Sequence, residues 1–249
     1  MLTDAQLDRY ARHIVLREIG GAGQMRLLAA HVVVIGAGGI GSPALQYLAA
    51  AGIGRLTIID EDRVDLSNLQ RQTIFGTDDI GQPKAEAAAQ VIARLNPDVS
   101  CVPVVDRITA DNAPTLIAGA DVVLDGCDNF ATRLAVADAA LAARIPLVSA
   151  AVGQFEGQLG TYRGWEPDLP CYRCFVGADP DRADASCADQ GVLGAMTGVL
   201  GSLAAMEVIR TIVPFGEATT GKLLIVDALD FRFRTLALPK DPGCPACGQ

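Results

Sequence analysis

Three groups of residues in this chain have types and spacings suited to chemistry. Gly36-Ala37-Gly38-Gly39-Ile40-Gly41 fits G-x-G-x-x-G where a β-branched run, His31-Val-Val-Val-Ile, meets a helix-forming stretch. Glycines there let the turn close and bring backbone amides near a phosphate or ribose, and the N-terminus of the next helix favours negative charge. Asp60 ends a second apolar run, Leu56-Thr-Ile-Ile, at the place where a carboxylate can accept hydrogen bonds from ribose hydroxyls. As a bare pattern this indicates an adenine nucleotide, most often a nicotinamide dinucleotide. The second group, Asn68, Arg71 and Lys84, argues for more phosphate charge. Backbone amides handle most of a dinucleotide's pyrophosphate, so a polar and basic set beside the same pocket points to a triphosphate whose charge must be neutralised during reaction.

Cysteines form the third group, seven in all. Cys171-Tyr-Arg-Cys174 and Cys244-Pro-Ala-Cys247 supply four thiols in two knuckles, a donor set suited to a tetrahedral zinc ion. A redox Cys-x-x-Cys pair is the competing reading, although no thioredoxin-like context surrounds either pair. Cys101 alternates with apolar strand residues and Cys127 follows a buried-looking run, so both read as core thiols. Cys187 stands apart in a polar stretch, 179–189, and reads by itself as an exposed, incidental thiol.

These groups need elements to hold them. Thr3-x-x-Gln6 predicts a capping box opening a helix to about Leu16, which Gly20, Gly21 and Gly23 then break. Strands are predicted over 31–35, 56–60, 99–105, 122–125 and 147–152, with helices over 42–51, 84–95 and 132–143 between them, an alternation that builds a parallel sheet. After residue 152 the pattern changes, and 158–163, 223–226 and 231–238 read as antiparallel strands. Residues 191–206 carry no charge and approach the length of a membrane span. They contain four glycines and are bounded by Asp189 and Glu207, so they read as a buried helix packed through small residues.

Composition narrows the classes. The chain has 249 residues, half of them hydrophobic, enough for a substantial core. Twenty Lys and Arg against 29 Asp and Glu give a net charge of −9, which argues against general nucleic-acid binding. Two histidines, His13 and His31, exclude a His-rich metal site. The N-terminus lacks the basic start and apolar stretch of a signal peptide, so the expectation is a soluble, cytoplasmic protein without membrane contact.

The glycine loop, Ser67-Asn-Leu-Gln-Arg-Gln72, Gly81-Gln-Pro-Lys84, Asp125-Gly-Cys-Asp128-Asn129 and both cysteine pairs occur in order between Tyr10-Ala-Arg12 and the terminal Cys-Pro-Ala-Cys-Gly-Gln. Together they resemble the MoeB/ThiF family of ubiquitin-activating-enzyme-like adenylyltransferases. The resemblance implies an α/β fold with a Rossmann-like, doubly wound, mostly parallel sheet continued by antiparallel strands. It implies one domain over 1–249, made of an N-terminal helical arm (1–30), a nucleotide-binding half (31–152) and a carrier-binding and zinc half (153–249). The implied activity is ATP-dependent adenylylation of the C-terminal glycine carboxylate of a small ubiquitin-like sulfur carrier ending in Gly-Gly. Pyrophosphate is released, and the pathway is molybdopterin or thiamine biosynthesis. The two cysteine segments lean towards the molybdopterin branch.

Residue by residue, the resemblance sets Gly36, Gly38, Gly39 and Gly41 against the nucleotide and Asp60 on its ribose. Arg71 and Lys84 become catalytic phosphate contacts beside Asn68, with Ser67, Leu69, Gln70 and Asn129 in the same nucleotide-binding motifs. Asp128 becomes the acid that positions Mg²⁺ and the triphosphate. Arg12 becomes a catalytic arginine reaching the partner subunit's ATP, which implies a homodimer. Cys171, Cys174, Cys244 and Cys247 become ligands of a structural Zn²⁺, and Cys187 a possible covalent residue in a crossover loop. Two other functions fit parts of the pattern. An NAD-dependent oxidoreductase would use the glycine loop and Asp60 alone. A non-catalytic scaffold for a ubiquitin-like protein is opposed by the presence of Arg71, Lys84 and Asp128.

Overall fold

The computed structural model describes residues 1–177 and 191–248. Its eight strands form one sheet in the order β3-β2-β1-β4-β5-β6-β7-β8. The strands β1 (His31–Ile35), β2 (Arg55–Ile59), β3 (Ser100–Val104), β4 (Val122–Asp125) and β5 (Leu147–Val152) run parallel. Antiparallel pairing then adds β6 (Glu156–Tyr162), β7 (Lys222–Asp227) and β8 (Arg232–Ala237). The change of grammar after residue 152 is therefore a change of strand direction within the same sheet.

Residues of β1 alternate between two cores. Val32 and Val34 join the cluster under α3 (Gly20–Ala29), α4 (Gly41–Ala51), α5 (Lys84–Leu95) and α9 (Gly194–Ile212). Val33 and Ile35 join the opposite cluster with α6 (Ala113–Leu116) and α7 (Phe130–Ala143). Burial on both faces explains why the sequence of β1 is continuously apolar rather than alternating.

In α9, Met196, Leu200, Ala204, Val208 and Ile212 recur every fourth residue and are buried, so one face of this largely apolar helix belongs to the core. The helix runs past Met206 and carries Glu207 inside. That carboxylate is held by Arg210 at 3.0 Å and by the Thr219 hydroxyl, which removes the reason for ending the helix there.

The capping box forms. Thr3 Oγ1 accepts from the Gln6 amide and Gln6 Oε1 accepts from the Thr3 amide. The predicted helix is instead two short ones, α1 (Asp4–Arg9) and α2 (Ala11–Ile14), joined at buried Tyr10. The glycines after it do not break helical structure, because α3 begins at Gly20. A Cβ on Gly23 would lie 2.9 Å from a methyl of Val213, so this glycine lets α3 approach the end of α9 inside a helix.

The turn after β1 is built by close approach. Gly36 has φ +86°, a left-handed conformation that disfavours side chains. A Cβ on Gly41 would overlap the Gly36 carbonyl oxygen, so Gly41 fixes the distance between α4 and the strand rather than facing the cavity described below. Gly41→Ala should destabilise the fold by about 1–3 kcal/mol through overpacking. Urea titration should show a lower midpoint at constant slope, and an unchanged midpoint would refute the packing role.

Candidate functional site

A cavity of about 390 Å³ opens beyond the C-terminal ends of β1, β2 and β4. Sheet order departs in both directions from β1 there, the position where open α/β sheets bind ligands. The volume is ample for a nucleotide. Gly36, Gly38, Gly39, Asp60, Arg71, Lys84, Asp128 and Asn129 all line it, so residues spread over more than ninety positions converge as the sequence predicted.

Asp60 organises the near wall. Its Oδ2 accepts from the Ala37 amide at 2.7 Å and its Oδ1 from the Asp62 amide at 2.9 Å. Burial raises the pKa of this carboxyl, while Lys84 and the two amides oppose the rise. Each oxygen keeps a lone pair for another donor, such as a ribose hydroxyl. Asp62 continues the chain, since its carbonyl accepts from the Lys84 amide and its carboxylate sits 2.8 Å from Lys84 Nζ. Lys84 is buried at the first position of α5, whereas Asp62 is exposed. A bound anion would compete with Asp62 for this ammonium.

The segment after Asp65 turns inward through its backbone. Asp65 accepts from the Ser67 amide and hydroxyl, opening a short 3₁₀ turn over Leu66–Asn68. These bonds hold the Asp65 carboxyl below its ordinary pKa. The Asn68 carbonyl then accepts from the amides of Arg71 and Gln72, and this turn delivers both of those side chains to the cavity wall. Ser67, Asn68, Leu69 and Gln70 do not line the cavity. Arg71 Nη1 donates to the Ser67 carbonyl at 3.1 Å. Gln72 is buried, and its Oε1 has no hydrogen-bond partner among the described residues.

The far wall is the loop between β4 and α7. Asp128 is exposed at its crest, and Asn129 caps α7 by accepting from the Thr132 amide. Beneath the crest lies an ion pair that sequence reasoning missed. Arg133 Nη1 is 3.0 Å from Asp125 Oδ2, and both groups also bond the Ser149 hydroxyl. Arg133 Nη2 donates to the carbonyls of Cys127 and Ala150. An acid closing the buried run Val122-Val-Leu-Asp125 was a signal that a partner must exist. The partner's position eight residues later, across a loop and into a helix, was not readable. Asp106, Arg107 and Ile108, after β3, complete the cavity and were also missed.

Cys127 is pushed well above the ordinary thiol pKa by burial, and its hydrogen bond to Asp125 adds to the shift. Cys101 is likewise raised by burial, to about 11. Both are partly buried, in keeping with core or near-core thiols, and a raised pKa disfavours the reactive thiolate. Cys187 lies outside the described residues. Arg12, on α2, is exposed and does not line the cavity of its own chain.

The four knuckle cysteines meet, with all four Sγ atoms within 4.8 Å of one another. Neighbouring pairs are 3.4, 3.6 and 3.9 Å apart, and all four residues are free thiols. Sulfurs around a tetrahedral ion with Zn–S bonds of about 2.3 Å are separated by about 3.8 Å, so the cluster fits a metal without rearrangement. The Asp241 amide donates to Cys174 Sγ, an outer-shell contact of the kind that tunes thiolate sites.

This sheet, with a glycine turn at its switch point and a charged cavity above it, defines a nucleotide-binding protein of the Rossmann-like class. The chain belongs to the ThiF family, whose sequence model matches residues 10–246. It is 44% identical to the sulfur carrier protein adenylyltransferase of Thermus thermophilus over 99% of this chain and 93% of that one. It is 42% identical to the molybdopterin-synthase adenylyltransferase of Salmonella typhimurium over 100% and 99% of the two chains. Among solved structures, Escherichia coli MccB with MccA-N7isoASN superposes with a TM-score of 0.83 at 25% identity, covering 96% of this chain and 75% of that one.

The cysteine geometry predicts one bound metal ion per chain in protein purified without chelator. Cys247→Ser should lose it, as elemental analysis would show. Full metal content in that variant would rule out the four-thiol site.

Proposed function

We propose that this protein adenylylates the C-terminal carboxylate of a small ubiquitin-like sulfur-carrier protein ending in Gly-Gly, using ATP and releasing pyrophosphate. The observation that carries this reading is the convergence of Arg71, Lys84 and Asp128 on a glycine-turn cavity, in a chain whose full-length relatives are named adenylyltransferases. A dinucleotide oxidoreductase has no use for that charged set. The molybdopterin branch is the one that a full-length relative's name supports, and a thiamine-type carrier is the second substrate to try.

The chemistry must bring a carboxylate onto the α-phosphorus of a polyanion. Arg71 and Lys84 reduce the repulsion and stabilise the departing pyrophosphate. No general base is needed, because the nucleophile is already ionised at neutral pH. Asp128, helped by Asn129, would hold Mg²⁺, which screens phosphate charge and stabilises the leaving group when bound. Gly38 leaves room for the nucleotide, Gly39 lets the turn pack against Thr197 at the cavity wall, and Asp60 accepts from the ribose. Arg12 acts in the partner subunit's cavity within a homodimer. Support for that role comes from its exposure on an arm anchored by buried Tyr10, whose hydroxyl accepts from Asn96 at 2.8 Å. The cysteine cluster holds a structural Zn²⁺, and the protein works in the cytoplasm. Cys187 is a possible covalent acceptor of the activated carrier.

ATP–pyrophosphate exchange that requires a Gly-Gly carrier tests this reading, and exchange absent with both molybdopterin-type and thiamine-type carriers would overturn it. Asp128→Ala should lower exchange by about a hundredfold or more with an unchanged circular dichroism spectrum. Near-normal turnover would remove Asp128 from the mechanism. Mixed dimers of Arg12→Ala and Asp128→Ala chains should regain part of the activity, because one cavity is then complete. Absence of rescue would place Arg12 outside the partner's site.

A further inference from the structure

The arm that carries Arg12 is clamped to the C-terminal end of α4 by two polar latches. Tyr10, itself buried, makes the first. Its hydroxyl accepts from Asn96 Nδ2 at 2.8 Å, and the same nitrogen donates to the Ala49 carbonyl at 2.7 Å. Asn96 is fully buried at the end of α5. Gly52 ends α4 with φ +82°, and a Cβ there would lie 2.5 Å from the Tyr10 hydroxyl and the ring carbon that bears it. The turn thus leaves the space that the ring fills.

His13 makes the second latch. Its Nδ1 is 3.2 Å from Oε1 of Gln24, a fully buried residue of α3 whose Nε2 donates to the Ala51 carbonyl at 2.9 Å. A carbonyl needs the nitrogen end of that amide, so Oε1 faces the ring and His13 donates from Nδ1. Both latches therefore end on carbonyls in the last turn of α4, where the helix supplies no further amide four residues on. Exposed bonds from Gln6 to Asp98 and from Arg9 to the Leu95 carbonyl repeat the attachment along the end of α5.

Arg12 lies between Tyr10 and His13 and is exposed. Helix α4 starts at the glycine turn and runs for eleven residues, about 16 Å. The clamp therefore holds Arg12 at the end remote from its own chain's glycine turn, with the backbone fixed on both sides. Fixing that backbone lowers the ordering cost of bringing a guanidinium to a phosphate. We propose that Tyr10 and His13, through Asn96 and Gln24, are positioning residues that present Arg12 to the cavity of a second copy of this chain. The inference rests on the reading that Arg12 works in the partner's cavity; the hold on the arm does not depend on it.

The test uses full-length, metal-loaded protein. Tyr10→Phe removes one hydroxyl and keeps the ring, His13→Ala removes the donor to Gln24, and His13→Asn keeps a donor nitrogen near the Nδ1 position. Relative to β1, hydrogen exchange of residues 7–15 should quicken roughly three- to tenfold in Tyr10→Phe and His13→Ala, the population change that follows loss of one ordinary hydrogen bond. His13→Asn should restore it in part. Pyrophosphate exchange should slow in both loosened variants, though by less than in Arg12→Ala. Per intact cavity, mixed dimers of Tyr10→Phe and Asp128→Ala chains should exchange faster than Tyr10→Phe alone, because a sound arm then meets a sound cavity. Mixed dimers of Tyr10→Phe and Arg12→Ala chains should gain nothing, since both arms are impaired. Wild-type exchange of the arm in both loosened variants, or a Tyr10→Phe defect that Asp128→Ala chains do not relieve, would overturn the proposal. Full activity of Arg12→Ala, with the arm still loosened by Tyr10→Phe, would instead remove the partner-cavity reading of Arg12 and leave the latches as anchors of the arm alone.

Discussion

The cavity depends on a relay that starts at one buried carboxylate. Asp60 ties the glycine turn to the end of β2 through the Ala37 amide, and ties the following loop through the Asp62 amide. Asp62 in turn holds both ends of Lys84, by backbone and by side chain. Three segments far apart in the chain, around residues 37, 60–62 and 84, are therefore positioned by a few short bonds. Burial raises the pKa of Asp60. Folding therefore favours its protonated form, and stability from this group alone would increase as pH falls through the raised value and decline as the carboxylate ionises. Such a cost is tolerated where preorganised charge serves chemistry.

The opposite wall solves a similar problem differently. Its acid, Asp128, is exposed, and the support lies underneath in the Asp125–Arg133–Ser149 network. Every polar group there has a partner, so the network gives rigidity without an unpaired charge. Between the two walls, a reaction joining two anions needs cations already in place before the substrates meet. In the proposed function Arg71 and Lys84 would meet that need, since backbone hydrogen bonds deliver both to the cavity wall.

Much of this was legible in the sequence. The β-branched run His31-Val-Val-Val-Ile, the glycine spacing and the paired cysteines each have a local physical cause, and each element formed as read. Less legible were features created by tertiary contact. Gly20, Gly21 and Gly23 read as breakers, yet close approach to Val213 lets a helix form there. Glu207 read as a helix boundary until Arg210 and Thr219 supplied its partners. Gly41 matched a nucleotide motif but serves helix–strand packing. Arg133 carried no local signal, because its partner Asp125 sits on another element.

Isotope transfer tests the central claim, carboxylate attack on the α-phosphorus, most directly. A Gly-Gly carrier labelled with ¹⁸O in its terminal carboxylate would be incubated with ATP and enzyme, and the product cleaved by hydroxylamine at the acyl carbon. The account predicts AMP carrying one ¹⁸O and unlabelled pyrophosphate. Unlabelled AMP would contradict it.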